Sequence, residues 1–287
     1  MVRVGINLWF KDLKNLGEIL AKARSVGMDH VEISLDYPFG IVERDKLMEM
    51  VRRVRGEGMS ISIHAPWQEI HLASPIEEVR RGSIEFMKRV LDICYHVEAL
   101  YVVLHVTSEQ PICRRLPPNS NPCIEAAIGS LEELSSYATD RGMFLAVENV
   151  GENCCGRIDL YSAILSQCNA YACLDPAHAI AMDRELQKKL DEIDYADVVR
   201  EYASSLGSEK IVAMHLHGIK KVDNRRIEVH YELDGVKIDL KRIIKTTRPS
   251  LRFIVFEVFK TTRGNFDVVM LEPYVREIRS WATAYGV

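Results

Sequence analysis

Several residues able to bind a metal or carry a proton fall at the ends of short apolar runs: His64 after SISI, His105 after YVVL, Glu148 after FLAV and Asp175 after YACL. His178 follows Asp175 by three positions, His215 and His217 close IVAMHLH, and Glu257 follows FIVF. Any one of these, taken alone, reads as an ordinary hydrogen-bonded histidine or a solvated carboxylate. Gathered at one end of a Val/Ile/Leu scaffold they read differently, because carboxylates drawn out of water need compensation and a cation is the natural compensator. Mixed imidazole and carboxylate donors suit zinc or manganese better than calcium or a thiolate-seeking metal. His30, which opens a run, and His96, within a helical stretch, stand apart from the set.

The elements that must position them repeat along the whole chain. Strands are expected at 3–8, 30–35, 60–65, 99–106, 143–150, 170–175, 210–217 and 252–258, alternating with longer amphipathic segments. Alternation of this kind implies βα units and a parallel sheet, and eight strands close a barrel. Two helices show their apolar faces at helical spacing, Leu16, Ile19, Leu20 and Ala23 in one and Ile84, Met87, Val90, Leu91 and Cys94 in the other. Ser74-Pro75 and Asp239 are the expected helix starts. There is no Gly/Ser linker or break in composition, so residues 1–287 read as a single (β/α)8 TIM barrel in the α/β class. If so, every candidate donor lies at the strand ends, the face that carries active sites in this architecture.

Composition narrows the function classes. The chain has 287 residues, 47% of them hydrophobic and 27% charged, which excludes disorder and coiled coil. A net charge of −4 argues against a globally basic nucleic-acid binder and leaves room for a local basic patch. The N-terminal stretch has no signal-peptide pattern and no apolar run spans a bilayer, so a cytoplasmic protein without a membrane partner is expected. Seven cysteines form no CxxC pair, and an odd count does not suggest a disulfide framework. Cys94, Cys168 and Cys173 read as core residues, whereas Cys113, Cys123, Cys154 and Cys155 fall in expected loops.

Two irregular stretches, 107–122 and 218–238, follow strands and so border the mouth. In the second, Glu228 and His230 alternate as an extended pair would, with both side chains on one side. Lys220, Lys221, Arg225 and Arg226 make it the most basic stretch near the mouth, suited to a phosphate or simply to solvent.

These residues resemble the xylose isomerase-like TIM barrels, and among them the endonuclease IV group of AP endonucleases. The resemblance rests on IHAPW, VLHV, VENV, CLDPAH, HLHGIK followed by RRIEVH, and FEV. It implies up to three zinc ions: one held by His64, His105 and Glu148; a second by Glu148, Asp175, His215 and Glu257; a third by His178, Glu228 and His230. It also implies hydrolysis of DNA at abasic sites, with Glu148 orienting or deprotonating the attacking water; Glu148 and Glu257 are the catalytic pair if the substrate is a sugar. Trp67, His217, Lys220 and Arg225 would contact substrate. Three positions depart from the endonuclease pattern: Glu228 replaces an Asp, Trp67 stands in the aromatic position with no Asn at the expected spacing, and Gly218 replaces an acid. The sugar isomerase and epimerase branch shares the central site and implies instead one manganese or magnesium ion and a small sugar or sugar phosphate. The Glu228-x-His230 element favours the DNA enzyme.

Overall fold

The computed structural model describes residues 2–150, 155–222, 227–262 and 264–287. Eight parallel strands form a closed barrel: β1 (Arg3–Leu8), β2 (His30–Ser34), β3 (Ser60–His64), β4 (Tyr101–His105), β5 (Phe144–Glu148), β6 (Tyr171–Leu174), β7 (Ile211–Leu216) and β10 (Phe253–Phe256). β1 closes the ring against β2 on one side and β10 on the other. A two-stranded antiparallel hairpin, β8 (Gly218–Lys221) with β9 (Ile227–Tyr231), rises directly from the end of β7.

All eight expected barrel strands form, any shortened end lying one or two residues inside its expected limit. The helices outside the barrel include α1 (Leu16–Ser25), α2 (Arg44–Gly56), α3 (Glu77–His96), the short α4 (Ile112–Arg115), α5 (Pro122–Thr139) and α6 (Ile158–Leu165). Beyond β6 come α7 (Pro176–Met182), α8 (Arg184–Lys188) and α9 (Tyr195–Leu206), then α10 (Leu240–Thr247) and α11 (Glu272–Tyr285). Asp239 caps α10 as expected, accepting the Arg242 amide at 2.9 Å. α3 begins later than expected, with Ile76 at its cap position, because Ser74 Oγ accepts the Ile76 amide and shapes the turn before it.

The pleat divides the barrel into two cores. Outward-facing Val31, Ile33, Leu145 and Val147 pack with the helices in the large cluster, to which Leu16, Leu20, Met87 and Leu91 also belong. Inward-facing Tyr101, Val103, Ala146, Cys173, Ala213 and Phe253 fill the lower interior. His30 completes that floor: its ring lies 5.0 Å from Phe253 and its nitrogens contact Ser60 and Ser62, each at 2.8 Å. Burial pushes its pKa down to about 4, so the imidazole is neutral and structural.

One expectation about the cysteines is corrected. Cys113 in α4 and Cys123 at the start of α5 form a disulfide, with their Cα atoms 5.6 Å apart, because the intervening loop doubles back after β4. Cys94, Cys168 and Cys173 are free and buried, as their settings in the sequence suggest. Cys154 lies outside the described residues. No helix among the described residues is long and apolar enough to cross a membrane.

Candidate metal centre

On β3 to β7 and on β10 the inward position at the top of the strand, or just beyond it, carries a donor: His64, His105, Glu148, Asp175, His215 and Glu257. On β3, β4 and β5 the alternation that buries Ser62, Val103 and Ala146 also directs His64, His105 and Glu148 into the mouth. Glu148 Oε2 lies 3.2 Å from His64 Nε2 and 3.0 Å from His105 Nε2. Its other oxygen lies 3.4 Å from His215 Nδ1 and 3.5 Å from His178 Nε2. Glu257 Oε2 approaches His215 Nδ1 at 3.5 Å and His230 Nδ1 at 3.6 Å.

The ending of YACLDPAH has a local explanation. Asp175 caps α7, with Oδ1 accepting the His178 amide at 2.8 Å and Pro176 preset for the first helical turn. Asn149 clamps the Asp175 backbone from β5's end, donating to its carbonyl at 2.8 Å and accepting its amide at 2.7 Å. Asp175 Oδ2 is thereby left facing His217 Nε2, 2.7 Å away. His217 Nδ1 accepts the His230 amide at 3.0 Å. Both His217 nitrogens are therefore engaged, and the fully buried ring supports Asp175 rather than lying open to a substrate.

Four donor groups overlap within this space, the ligand atoms of each within 4.8 Å of one another: His64, His105 and Glu148; Glu148, Asp175, His178 and Glu257; His178, His217, His230 and Glu257; and Glu32, His215 and Glu257. Glu228 is not brought into any of them. Its Oε2 accepts the Tyr231 hydroxyl at 3.0 Å and lies 3.6 Å from Lys260 Nζ. The expected same-side pairing with His230 fails because His230 has a φ of 64°, which breaks the strand alternation just where the ring must turn toward Glu257. Of the residues expected to meet substrate, Trp67 is 45% exposed at the rim with its ring 6.0 Å from that of His105. The Lys220 ammonium lies 5.3 Å from the Tyr231 ring centre, and Arg225 lies outside the described residues.

Electrostatics fit a cation. Burial would raise the pKa of Glu148, but His215, His105 and His64 hold it well below the usual carboxylate range. Glu257 is likewise held down, burial being outweighed mainly by His215. Burial works against protonation of both His64 and His215, yet the contact with Glu148 raises His64 to about 9, and Cys173 together with the Glu32, Glu257 and Glu148 carboxylates raises His215 well above its ordinary value. His105 and His230 go the other way, driven down by burial, His230 to about 4. Protons on some imidazoles thus neutralise carboxylates that a divalent ion would neutralise in their place. Glu148 Oε1 and His215 Nδ1 make no hydrogen bond despite complete burial, the condition expected of atoms set for coordination; His215 Nε2, also without one, lies 2.9 Å from Glu32 Oε1.

Sequence reasoning missed Glu32. Its signal was present: a lone acid in the middle of HVEIS, on the inward face set by His30 and Ser34. Gly218 also gains a reason, since a Cβ there would run into the Glu232 carbonyl of the adjoining hairpin.

The model of the family described as "Xylose isomerase-like TIM barrel" matches residues 20–283. The chain belongs to that family. Two curated relatives are similar over most of their length: a "Probable endonuclease 4" from Aquifex aeolicus, 24% identical over 277 residues (90% of this chain and 91% of that protein), and one of the same description from Methanosphaerula palustris, 23% identical over 242 residues (80% and 81%). Among solved structures, a D-tagatose 3-epimerase-like protein superposes with a TM-score of 0.69 over 99% of this chain and 98% of its own, at 16% identity. That likeness extends to the fold.

Proposed function

We propose that this chain is a metal-dependent phosphodiester hydrolase of the endonuclease IV kind, acting at abasic sites in DNA with up to three zinc ions. The observation that carries this reading is the size of the donor set. A tetrahedral zinc takes four ligands, whereas His178 and His230 stand beside Glu257 in addition to the His64, His105 and Glu148 group. Ions held there would polarise phosphoryl oxygens, acidify a water and stabilise the leaving oxyanion. Glu148, which stands in two of the four donor groups, would orient the attacking water. Glu257 holds His215 and His230 together across the mouth. Trp67, exposed beside His105, offers a stacking face to a base or to the gap at an extruded sugar. The curated relatives named as probable endonuclease 4 support the same choice.

One observation favours a second reading, epimerisation or isomerisation of a sugar or sugar phosphate with one manganese or magnesium ion. Glu148 and Glu257 flank His215 Nδ1 at 3.4 and 3.5 Å, a pair of carboxylates placed to remove and return a proton on either side of a chelated substrate. The two readings separate by assay. Zinc-loaded protein is expected to incise a duplex containing an abasic site and to leave ketoses unexchanged in deuterated water. No incision, with deuterium entering a ketose, would replace the first reading by the second.

A further inference from the structure

Beneath the donors lies a carboxylate held by the barrel floor. Glu32, fully buried on β2, places Oε1 2.9 Å from His215 Nε2 and accepts the Asn7 side-chain amide there at 3.1 Å. Its Oε2 accepts the Ser62 hydroxyl at 3.2 Å and the Tyr101 hydroxyl at 3.1 Å. These supports are themselves fixed: Ser34 Oγ donates to Asn7 Oδ1 at 2.9 Å, and Ser62 Oγ lies 2.8 Å from His30 Nε2. Three neutral donors occupy the carboxylate, leaving it better suited to holding His215 than to joining a cation. The opposite ring nitrogen, His215 Nδ1, faces the space between Glu148 Oε1 and Glu257 Oε2.

We propose that Glu32 is the positioning residue of the metal centre, retaining the Nε2 proton of His215 so that Nδ1 is the nitrogen presented to the ion. The two groups are at hydrogen-bond distance with the N–H off the direct line, so a small rotation of the ring on metal binding completes the bond. A carboxylate behind a ligating imidazole fixes its tautomer and raises its basicity. Burying the charge also has a cost that neighbouring donors must offset, and Asn7, Ser62 and Tyr101 supply them. The inference rests on reading the mouth as a metal centre.

The test measures zinc affinity by chelator competition and follows the His215 Nε2–H by long-range proton–nitrogen NMR, in both metal-free and zinc-loaded protein. Glu32→Gln is expected to shift that resonance in both states and to weaken zinc binding about 10- to 100-fold. Glu32→Asp keeps a carboxylate and is expected to restore part of both signals. An unmoved resonance, or affinity within about twofold of the parent in folded Glu32→Gln, would overturn the proposal. Should Glu32→Gln fail to fold, Tyr101→Phe removes a single donor from the carboxylate: weakening of zinc binding supports the proposal, and unchanged binding overturns it. If the unaltered chain takes up no zinc, the metal reading fails, and the resonance in the metal-free variants decides the Glu32–His215 coupling by itself.

Discussion

The mouth is built in two ways. His64, His105, Glu148, Asp175, His215 and Glu257 lie at the tops of barrel strands, where pleat and closure aim every side chain, and the polar layer of Glu32, Asn7 and Ser62 supports them from below. His178 and His230 come instead from the first turn of α7 and from a hairpin whose backbone is held in the left-handed region at His230. The hairpin is secured by the Phe259 and Lys260 amides, both donating to the His230 carbonyl at 3.0 Å, and by Thr262 groups donating to the Glu232 carboxylate. The barrel part is preorganised by the fold itself. The hairpin part depends on a few contacts, so the two should respond differently to substitution.

The largest effect is expected at the junction. Glu148→Gln removes a carboxylate that stands in two donor groups, beside Glu257, which stands in three, and should cut turnover by about 10²–10⁴-fold, with loss of more than one ion in a metal assay; loss of a single ion would mean the donor groups work independently. His230→Ala should remove one ion and spare the group of His64, His105 and Glu148, read by metal content and by retained spectroscopic signatures of cobalt in the remaining sites. Loss of all metal would show that the barrel part depends on the hairpin.

Protonation gives the next largest effect. The pKa of His64 in the fold is about 9 against an ordinary 6.5, so its contribution to metal-free stability is complete below pH 6.5 and is lost as pH rises through 9. Urea unfolding across that range should show a decline on the order of 3 kcal/mol, and zinc, which displaces the proton, should suppress it. A flat profile for metal-free protein would deny the charged His64–Glu148 pair. Gly218→Ala should destabilise the chain by about 1–3 kcal/mol through collision with the Glu232 carbonyl, visible as a lower thermal midpoint with less metal retained at His230. Glu228→Gln should be the mildest, within about 0.5 kcal/mol and without change in metal content, because its carboxylate faces Tyr231 and Lys260. A lost ion there would return Glu228 to the ligand set.

The same contrast explains what the sequence made legible. Strand-end donors could be read because a period of two fixes their direction once the strand is recognised, which is why the barrel and the gathering of these donors at one mouth followed from pattern, while the grouping of His64, His105 and Glu148 came from the family resemblance. The hairpin could not be read in this way: a positive φ at a histidine has no pattern, and it sends Glu228 and His230 to different sides. The Cys113–Cys123 disulfide was hidden by an odd cysteine count, since pairing depends on how the loop after β4 folds back. Glu32 was passed over because attention to strand ends overlooks a strand's middle, although an acid among apolar neighbours inside a barrel must be serving something.

The central claim is that the mouth holds a centre of several ions rather than one, and the direct measurement is metal content per chain by plasma mass spectrometry on protein purified without added metal or chelator. Close to three zinc ions per chain is the predicted result. A single ion, with His230→Ala leaving that stoichiometry unchanged, would contradict it.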